Sequence, residues 1–578
     1  MEHTTPHEPH EHKTEAQLSH ILDKLHRHEH DHNPLTRAVE GTGDAHELPN
    51  QLNYHYPFPL DAEKQAALQD GYVEALTLLK ATQGVPTEET ALLKERLERN
   101  TQIRLDLLRY NTDNFRPLDH TDESTPFLTF TDITGAGYFR YETPEDFEKG
   151  MLRAAGWAHW VDAAISTMEE GAQKGETTPS AVAIATHDHL AMIKNGMFEG
   201  FLAPLQQAEA IPTSLQKQYE QAMRNAAQNY EKLSQYVSER YIPAARSDER
   251  PGLKYLDTGL EQYQRILRYW TSEQLHPETL FRYAQEQYQK HEAELTALSA
   301  ELGFRGAAAL IAAIQKNHQF HSFSSAAEMH GAYTTITDIA MEQLPRLFKT
   351  LPQQYPEIRL TKALPGANIA KYVMPSRDGQ RAGGIHVAVD DPTTYPAARI
   401  LGLALHEGVP GHHLQLSLQS ENSKHPYLQA SVRHPAYRES WAQYAESLVH
   451  ELGIPVHPYE HAAMIATKLL IARGVMLDVG LHYYGWSIAE AKQKKLAMHG
   501  NDDRQTHYEI LRYLAWPGQI SAYLFDGVFR ELRHHAETEL GSQFDVREFH
   551  DAVLQHGEMP LDLLPAHLHA WTNKQKTH

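Results

Sequence analysis

Apolar residues recur every three or four positions along most of the chain, the spacing that places them on one face of an α-helix. The pattern is clearest in residues 66–79, 91–110, 212–240 and 260–302, and it returns in the C-terminal part of the chain. Turn signals such as Pro517 followed by Gly518 interrupt it there. We therefore predict a mainly α-helical fold.

Three short stretches have a different pattern, because they are rich in aromatic and β-branched residues. They are residues 127–141, 357–363 and 384–389. The last two come shortly before the segment with the most chemical information. We expect residues 357–363 and 384–389 to be strands of a small β-sheet beside the helices, and residues 127–141 to be a strand or a loop.

The organisation of the chain follows from these patterns in three parts. Residues 1–48 form a polar segment with nine histidines among the first 32 positions, and we predict a disordered tail there. The tail either collects metal ions loosely or is solvated without a defined role. We expect residues 49–350 to form an N-terminal helical region that makes one wall of a cleft, and residues 351–578 to hold the metal site.

Composition narrows the possible chemistry. The 578 residues include 53 Lys and Arg against 75 Asp and Glu, a formal net charge of −22. This balance argues against a nucleic-acid partner, because binding to phosphates needs clustered cations. There are 39 His and no Cys, so thiolate nucleophiles and cysteine-based metal sites are excluded. The candidate metal ligands are His, Asp and Glu.

The chain also shows no sign of a membrane partner. No uncharged apolar run approaches the roughly 20 residues that cross a bilayer. The N-terminal segment MEHTTPHEPHEHKTE has neither the basic nor the apolar region of a secretory signal. We therefore expect a cytoplasmic location, while the sequence indicates no particular oligomeric state.

The most informative segment is 399–419, RILGLALHEGVPGHHLQLSLQ, where an apolar helical pattern contains His406, Glu407, His412 and His413. In the motif H-E-x-x-H, two histidines four positions apart bind zinc and the glutamate takes a proton from the attacking water. Here Pro410 stands at the fourth position after His406. The second histidine therefore comes later than the motif requires.

Helix geometry shows what this departure demands. On an ideal helix, His412 lies about 240° around the axis from His406, and His413 lies about 10.5 Å along the axis. Neither could share one ion with His406. Pro410 cannot complete a helical hydrogen bond, and glycines flank it, so we expect a bulge of two extra residues that places His412 as the second ligand. His413 would then be a neighbouring or substrate-contacting group.

A third ligand is expected from the segment 437–446, YRESWAQYAE. Glu439 lies 33 residues beyond His406, and its neighbours are mostly apolar or aromatic, which favours partial burial over a solvated helix face. Glu446 lies seven positions later on the same face. It could orient a ligand histidine through a hydrogen bond.

Two further groups are candidates for stabilising a developing oxyanion. Asp478 and His482 lie four residues apart in a predicted helix, where the carboxylate could hold the imidazole in one tautomer. Tyr523 follows the Pro517–Gly518 turn and has a hydroxyl suited to the same role. A purely structural tyrosine is the alternative.

The blocks HEGVPGHH, RESWAQYAE, DVGLHYYGW and PGQISAY resemble the domain-of-unknown-function family 885 (DUF885) over roughly residues 60 to 570. That family is similar to the gluzincin peptidases and the carboxypeptidase Taq group. The resemblance implies a large helical gluzincin-like body with a small β-sheet beside a deep active-site cleft. It also implies that residues 384–389 form the edge strand of that sheet. Ser440 and Gln443 depart from the related motifs, where a glycine and an acid are usual.

Carried over by motif, the resemblance implies His406, His412 and Glu439 as metal ligands and Glu407 as general base. We expect one Zn²⁺ per chain, or another divalent metal, in a metallopeptidase-like hydrolase acting on short peptides. A helical di-iron or redox protein is an alternative, based on the spacing of Glu531 and His534. A metal-binding protein with an inactive centre is another.

Overall fold

The computed structural model describes residues 8–32, 62–82, 87–109, 141–207, 211–316, 323–361, 370–376, 381–389, 391–421, 433–499 and 503–577. These residues form a mainly α-helical fold with a small β-sheet, as predicted. The stretch 127–141, predicted as strand or loop, lies outside the described residues except for Tyr141.

The longer helices fall into an N-terminal and a C-terminal series. The N-terminal series is α1 (Glu8–His32), α2 (Ala62–Ala81), α3 (Glu88–Arg109), α4 (Pro144–Lys174), α5 (Ser180–Gln207), α6 (Thr213–Tyr236), α7 (Gly259–Thr271), α8 (Pro277–Glu301), α9 (Ala307–Lys316) and α10 (Ala326–Gln343). The C-terminal series is α11 (Ile400–Glu407), α12 (His412–Glu421), α13 (Pro435–Ser447), α14 (Pro458–Val479), α15 (Ile488–Ala497), α16 (Asp503–Ala515), α17 (Asp526–Leu540), α18 (Val546–Leu554) and α19 (Leu564–Gln575).

Local signals fix several of these helix ends. Thr143 caps α4, since its side chain accepts from the Asp146 amide while the Asp146 carboxylate accepts from the Thr143 amide. Gly175 ends the same helix with φ 74°, a conformation in which an L side chain is strained. Ser487 and Glu490 form the equivalent capping box of α15.

Within the described residues, the sheet has three strands, β1 (Glu357–Thr361), β2 (Ala370–Val373) and β3 (Gly384–Ala388), in the order β1-β3-β2. β3 pairs parallel with β1 and antiparallel with β2. The prediction that residues 384–389 form an edge strand is therefore wrong. The physical reason is that the main chain of β3 pairs on one side with β1 and on the other with β2. Four consecutive residues of β3 are also buried, as in a strand that is covered on both faces.

The main hydrophobic core is shared between the two halves of the chain. It runs from Leu18 in α1 to Leu568 in α19 and crosses the predicted boundary at residues 350/351, where α8 packs along α14. A second core lies within α4, α5 and α6 and includes the stacked pair Trp157 and Trp160. A third joins α10, the sheet and the first turns of α11.

The prediction of a disordered tail is wrong for residues 8–32, which form α1. Leu18, Ile21, Leu22 and Leu25 lie on one face of this helix and are buried against α2 and α3. Glu29 adds a buried contact, since it accepts hydrogen bonds from Tyr72 and Arg104. Burial of this apolar face stabilises the helix, although the histidines make the rest of the segment polar.

In the part of the chain that the structure describes, no helix combines the length and apolar character that a membrane crossing requires.

The packing of α1 predicts a stability difference between its two faces. Replacing the buried Leu22 by Ala should lower the free energy of unfolding by about 2–5 kcal/mol, because the methyl groups are lost and a cavity is left. Replacing the exposed Gln17 by Ala should change it by less than about 0.5 kcal/mol. Chemical denaturation measures both. Equal stability of the two variants would show that α1 is not part of the core.

Candidate metal centre

The segment between Glu407 and His412 breaks one helical path into two helices. α11 ends at Glu407 and α12 begins at His412, with the amide of Gly411 donating to the carbonyl of Leu405, six residues back, at 3.0 Å. An α-helical bond would reach four residues back, so the turn holds two extra residues. They are present as predicted, but as a break between helices rather than a bulge within one.

The sequence of this break suits its tight geometry. A Cβ on Gly411 would lie 2.0 Å from the carbonyl oxygen of His406, so only glycine fits. The Val409–Pro410 peptide bond is cis. The carbonyl of Pro410 accepts a hydrogen bond of 3.1 Å from the indole of Trp441 in α13. The break is therefore held directly against the helix that carries the predicted third ligand.

The structure brings His406, His412 and Glu439 together. One potential ligand atom from each lies within 4.8 Å of the other two. The Nε2 atoms of His406 and His412 are each 3.4 Å from Oε2 of Glu439. Both histidines are buried, and the Glu439 side chain is 18% exposed. Among the described residues, no other group of three His, Asp or Glu side chains has this arrangement.

These distances fit a metal ion better than they fit hydrogen bonding alone. Two ligands about 2.0–2.1 Å from a tetrahedral zinc ion lie about 3.3 Å from each other. The observed separations of 3.4 Å match that spacing and exceed the usual 2.7–3.2 Å of a hydrogen bond. Two imidazoles and one carboxylate also form a donor set that zinc prefers. The three residues therefore fit a single divalent ion.

Glu446 orients one of the two histidines. Its Oε1 accepts a hydrogen bond of 2.9 Å from Nδ1 of His406, which leaves Nε2 facing Glu439. Burial lowers the pKa of His406, but hydrogen bonds to Glu439 and Glu446 outweigh it and hold the pKa well above its ordinary value. Burial likewise raises the pKa of Glu439, and the two histidines reverse this to hold it well below the usual range. The electrostatics of the site favour a positive charge.

His413 lies apart from this cluster. Its Nε2 donates a hydrogen bond of 2.8 Å to the carbonyl of Gln354, and its ring meets Tyr372 of β2 edge to face. Burial lowers the pKa of His413 to about 4, so the imidazole is neutral. His413 therefore joins α12 to the sheet region, while His412 faces Glu439.

Glu407 occupies the last position of α11, between the ligand cluster and two tyrosines. The hydroxyl groups of Tyr333 and Tyr395 share a hydrogen bond of 2.8 Å. Burial is the main cause that raises the pKa of both tyrosines, and the nearby charge of Glu407 adds to it. Among the described residues, the Glu407 carboxylate has no hydrogen-bond or ion-pair partner of its own. Its lone pairs are available to a substrate or a water molecule.

Tyr523 lies beside the candidate ligands, on a short 3₁₀ helix formed by Gln519–Tyr523. Its ring stacks on that of His406, with centroids 6.5 Å apart and an interplanar angle of 18°. Burial and the charge of Glu439 raise the pKa of Tyr523, so its hydroxyl keeps its proton. Ser440 in α13 fixes this segment, since its hydroxyl donates to the Ala522 carbonyl and accepts from the Phe525 amide, both at 3.1 Å.

The predicted pairing of Asp478 with His482 is wrong. Asp478 instead accepts from the Gly518 amide at 2.7 and 2.8 Å, and His482 accepts from the Leu253 amide at 3.2 Å and donates to the Tyr513 carbonyl at 3.0 Å. The physical reason is that α14 ends at Val479 and the chain continues as a π-helical turn, which shifts the four-residue spacing. Both nitrogens of His482 are engaged by main-chain groups, so it has no donor left for an oxyanion.

Three residues of the site have no assigned role in the sequence-based prediction. Tyr333 lies far upstream of the motif, and the fold brings it to Tyr395, which precedes the motif closely in the sequence. Gln519 lies within the PGQISAY block, and its place in that block could have identified it as a residue of the site. Its amide nitrogen donates to the Tyr523 hydroxyl at 3.4 Å.

Comparisons with known proteins agree with the fold and correct the expected location. A solved structure described as the putative lipoprotein from Colwellia psychrerythraea superposes with a TM-score of 0.83 at 19% identity, covering 97% of this chain and 99% of that chain. A second, described as a putative lipoprotein of unknown function from Shewanella oneidensis, gives 0.61 at 14% identity, covering 96% and 99%. Both of these proteins are described as putative lipoproteins, which contradicts the expectation of a cytoplasmic location.

No curated protein gives a significant match to the sequence. A family model, however, matches residues 51–568, which is most of the chain and includes every residue of the candidate centre. The chain therefore belongs to the family described as "Bacterial protein of unknown function (DUF885)".

Proposed function

We propose that this protein is a zinc-dependent hydrolase that cleaves amide bonds in short peptides. The observation that carries the proposal is the convergence of His406, His412 and Glu439, with the unpartnered carboxylate of Glu407 beside them. Two imidazoles and one carboxylate leave a fourth position for water and substrate, as in catalytic rather than structural zinc sites. The proposed ligand set also supports a relationship to the gluzincins and the carboxypeptidase Taq group.

Each residue of the centre has a separate role in the proposed reaction. A bound zinc ion would supply Lewis acidity, polarising the scissile carbonyl and making water easier to deprotonate. Glu407 accepts the proton of the attacking water and passes it to the leaving amine. Tyr523 donates its hydroxyl proton as a hydrogen bond to the oxygen that becomes negative. Glu446 keeps the His406 ring in the orientation that directs Nε2 toward Glu439.

Burial of the centre favours small substrates. The side chains of His406 and His412 are 10% and 7% exposed, so the rigid surface of a folded protein would not reach them. A short or extended peptide can enter a site of this depth. Short peptides are thus the substrate class that the surroundings of the centre favour.

A metal-binding protein with an inactive centre is the main alternative. The presence of Glu407 next to the ligands favours catalysis, since metal binding alone does not need a free carboxylate there. The di-iron hypothesis has less support. Glu531 and His534 lie exposed on α17, and among the described residues they belong to no group of three metal-binding side chains.

The ligand assignment predicts opposite results for two adjacent histidines. His412→Gln should abolish stoichiometric zinc binding, because it removes one of three ligands, whereas His413→Gln should keep about one zinc per chain. Elemental analysis after dialysis against a weak chelator measures this, since the chelator also removes metal held by surface histidines. Loss of zinc from the His413→Gln variant but not from the His412→Gln variant would show that His413, rather than His412, is the ligand.

The role of Glu407 is tested by Glu407→Gln, which keeps the size of the side chain and removes its basicity. Peptide hydrolysis should fall at least about 10²-fold, while zinc content stays at that of the wild type. Kinetics on short peptides and elemental analysis give the two values. Loss of zinc would make Glu407 a ligand instead, and full activity would exclude it as the base.

The proposed role of Tyr523 predicts a loss in turnover rather than in affinity. Tyr523→Phe should lower kcat by about 10²-fold with little change in KM, as expected when one oxyanion donor is removed. Tyr513→Phe is the matched control, because the Tyr513 hydroxyl packs against Gly474. A similar loss in both variants would indicate a general effect of removing a buried hydroxyl.

A further inference from the structure

The wall of the centre that carries Tyr523 also carries an arginine. Arg512, in the last turn of α16, donates from Nη2 to Oε1 of Gln519 at 3.1 Å. The amide nitrogen of Gln519 donates in turn to the Tyr523 hydroxyl, and the Tyr523 ring stacks on His406. A continuous series of contacts therefore leads from the Arg512 guanidinium to a candidate metal ligand.

Arg512 has no acidic partner among the residues that the structure describes. It is half-buried, and its second contact is the indole of Trp516, whose ring centroid lies 5.9 Å from the guanidinium carbon. A guanidinium has five N–H donors, and Gln519 accepts from only one nitrogen. Most of the hydrogen-bonding capacity of Arg512 is available to a ligand.

Arg473, another arginine close to the blocks that resemble the family, differs in this respect. It donates to the main-chain carbonyls of Met498 and His499 and pairs with Glu509 at 3.3 Å. Its side chain is 3% exposed. The Arg473 side chain therefore joins α14 to neighbouring segments of the fold. Arg512 is the better candidate for contact with a substrate.

The separation between Arg512 and the centre suits the end of a peptide. Two hydrogen bonds and one amide group place the guanidinium within about 9 Å of the Tyr523 hydroxyl, the span of two to three extended residues at about 3.4 Å each. A peptide bond at the centre would then have its C-terminal carboxylate near Arg512 one or two residues later. The planar guanidinium matches a carboxylate through two parallel hydrogen bonds.

We propose that Arg512 binds the C-terminal carboxylate of the substrate, so that the protein removes one or two residues from the C-terminus of short peptides. This inference rests on the proposed hydrolase function for the reaction, but the carboxylate site itself can be tested without turnover. The competing explanation is that Arg512 only positions Gln519 and Tyr523. That role would affect peptides with and without a free carboxylate equally.

A binding experiment distinguishes the two explanations. The probes are N-acetyl-trialanine as the free acid and as the C-terminal amide, measured by isothermal titration calorimetry on the Glu407→Gln protein, which prevents cleavage. The acid should bind at least about tenfold more tightly than the amide. Adding Arg512→Gln should reduce this ratio to about one, and adding Arg512→Lys should keep part of it, because lysine retains the charge without the planar fork.

A kinetic experiment on the otherwise wild-type protein completes the test. Arg512→Gln should lower kcat/KM for the acid about 10- to 100-fold and leave the amide within about threefold, while the exposed control Arg224→Gln changes neither. Equal affinity for the two probes, no binding of either, or an equal loss for acid and amide would overturn the proposal. Absence of hydrolysis in the wild type together with an Arg512-dependent preference for the acid would reject the hydrolase function and keep the carboxylate site.

Discussion

The hydrogen bond from the Trp441 indole to the Pro410 carbonyl joins the two parts of the candidate centre. One part is the break between α11 and α12, which supplies the two histidines, and the other is α13, which supplies the two glutamates. Trp441 is fully buried, so this bond is shielded from water and fixes how the break sits against α13. Because Glu439 and Glu446 both belong to α13, this contact, together with the packing of α13 on α11 and α12, positions them against His406.

The surroundings of α13 show why such a polar centre can be buried. At its start, the Glu558 carboxylate accepts hydrogen bonds of 2.7 Å from the His434 amide and from the Arg438 side chain. Further along, Ser440 holds the 3₁₀ helix that carries Tyr523. A buried charge is costly unless it is paired, and each of these groups has its partner on a different element. The same contacts that compensate burial therefore also position the functional side chains.

The sequence was sufficient to predict the fold and the site where the relevant residues are close together along the chain or follow a helical spacing. The mainly helical fold and the grouping of His406, His412 and Glu439 were predicted from contiguous motifs. The central place of β3 could not be predicted, because a short apolar run does not identify its neighbours. The π-helical turn that separates Asp478 from His482 has no signal in the sequence. The helix α1 did have a signal in the sequence, because its buried leucines and isoleucine follow helical spacing. The many histidines of the same segment obscured that signal.

The histidines show what distinguishes a candidate ligand from a structural residue. Burial lowers the pKa of His386 and His550 to about 3, with nearby Arg or Lys side chains adding to the effect. These imidazole rings are therefore neutral near pH 7. His406 is equally buried, but two carboxylates reverse the direction of its pKa shift. A site that stabilises a proton on a buried imidazole stabilises a metal ion for the same electrostatic reason, so the glutamates of α13, rather than the number of histidines, define the centre.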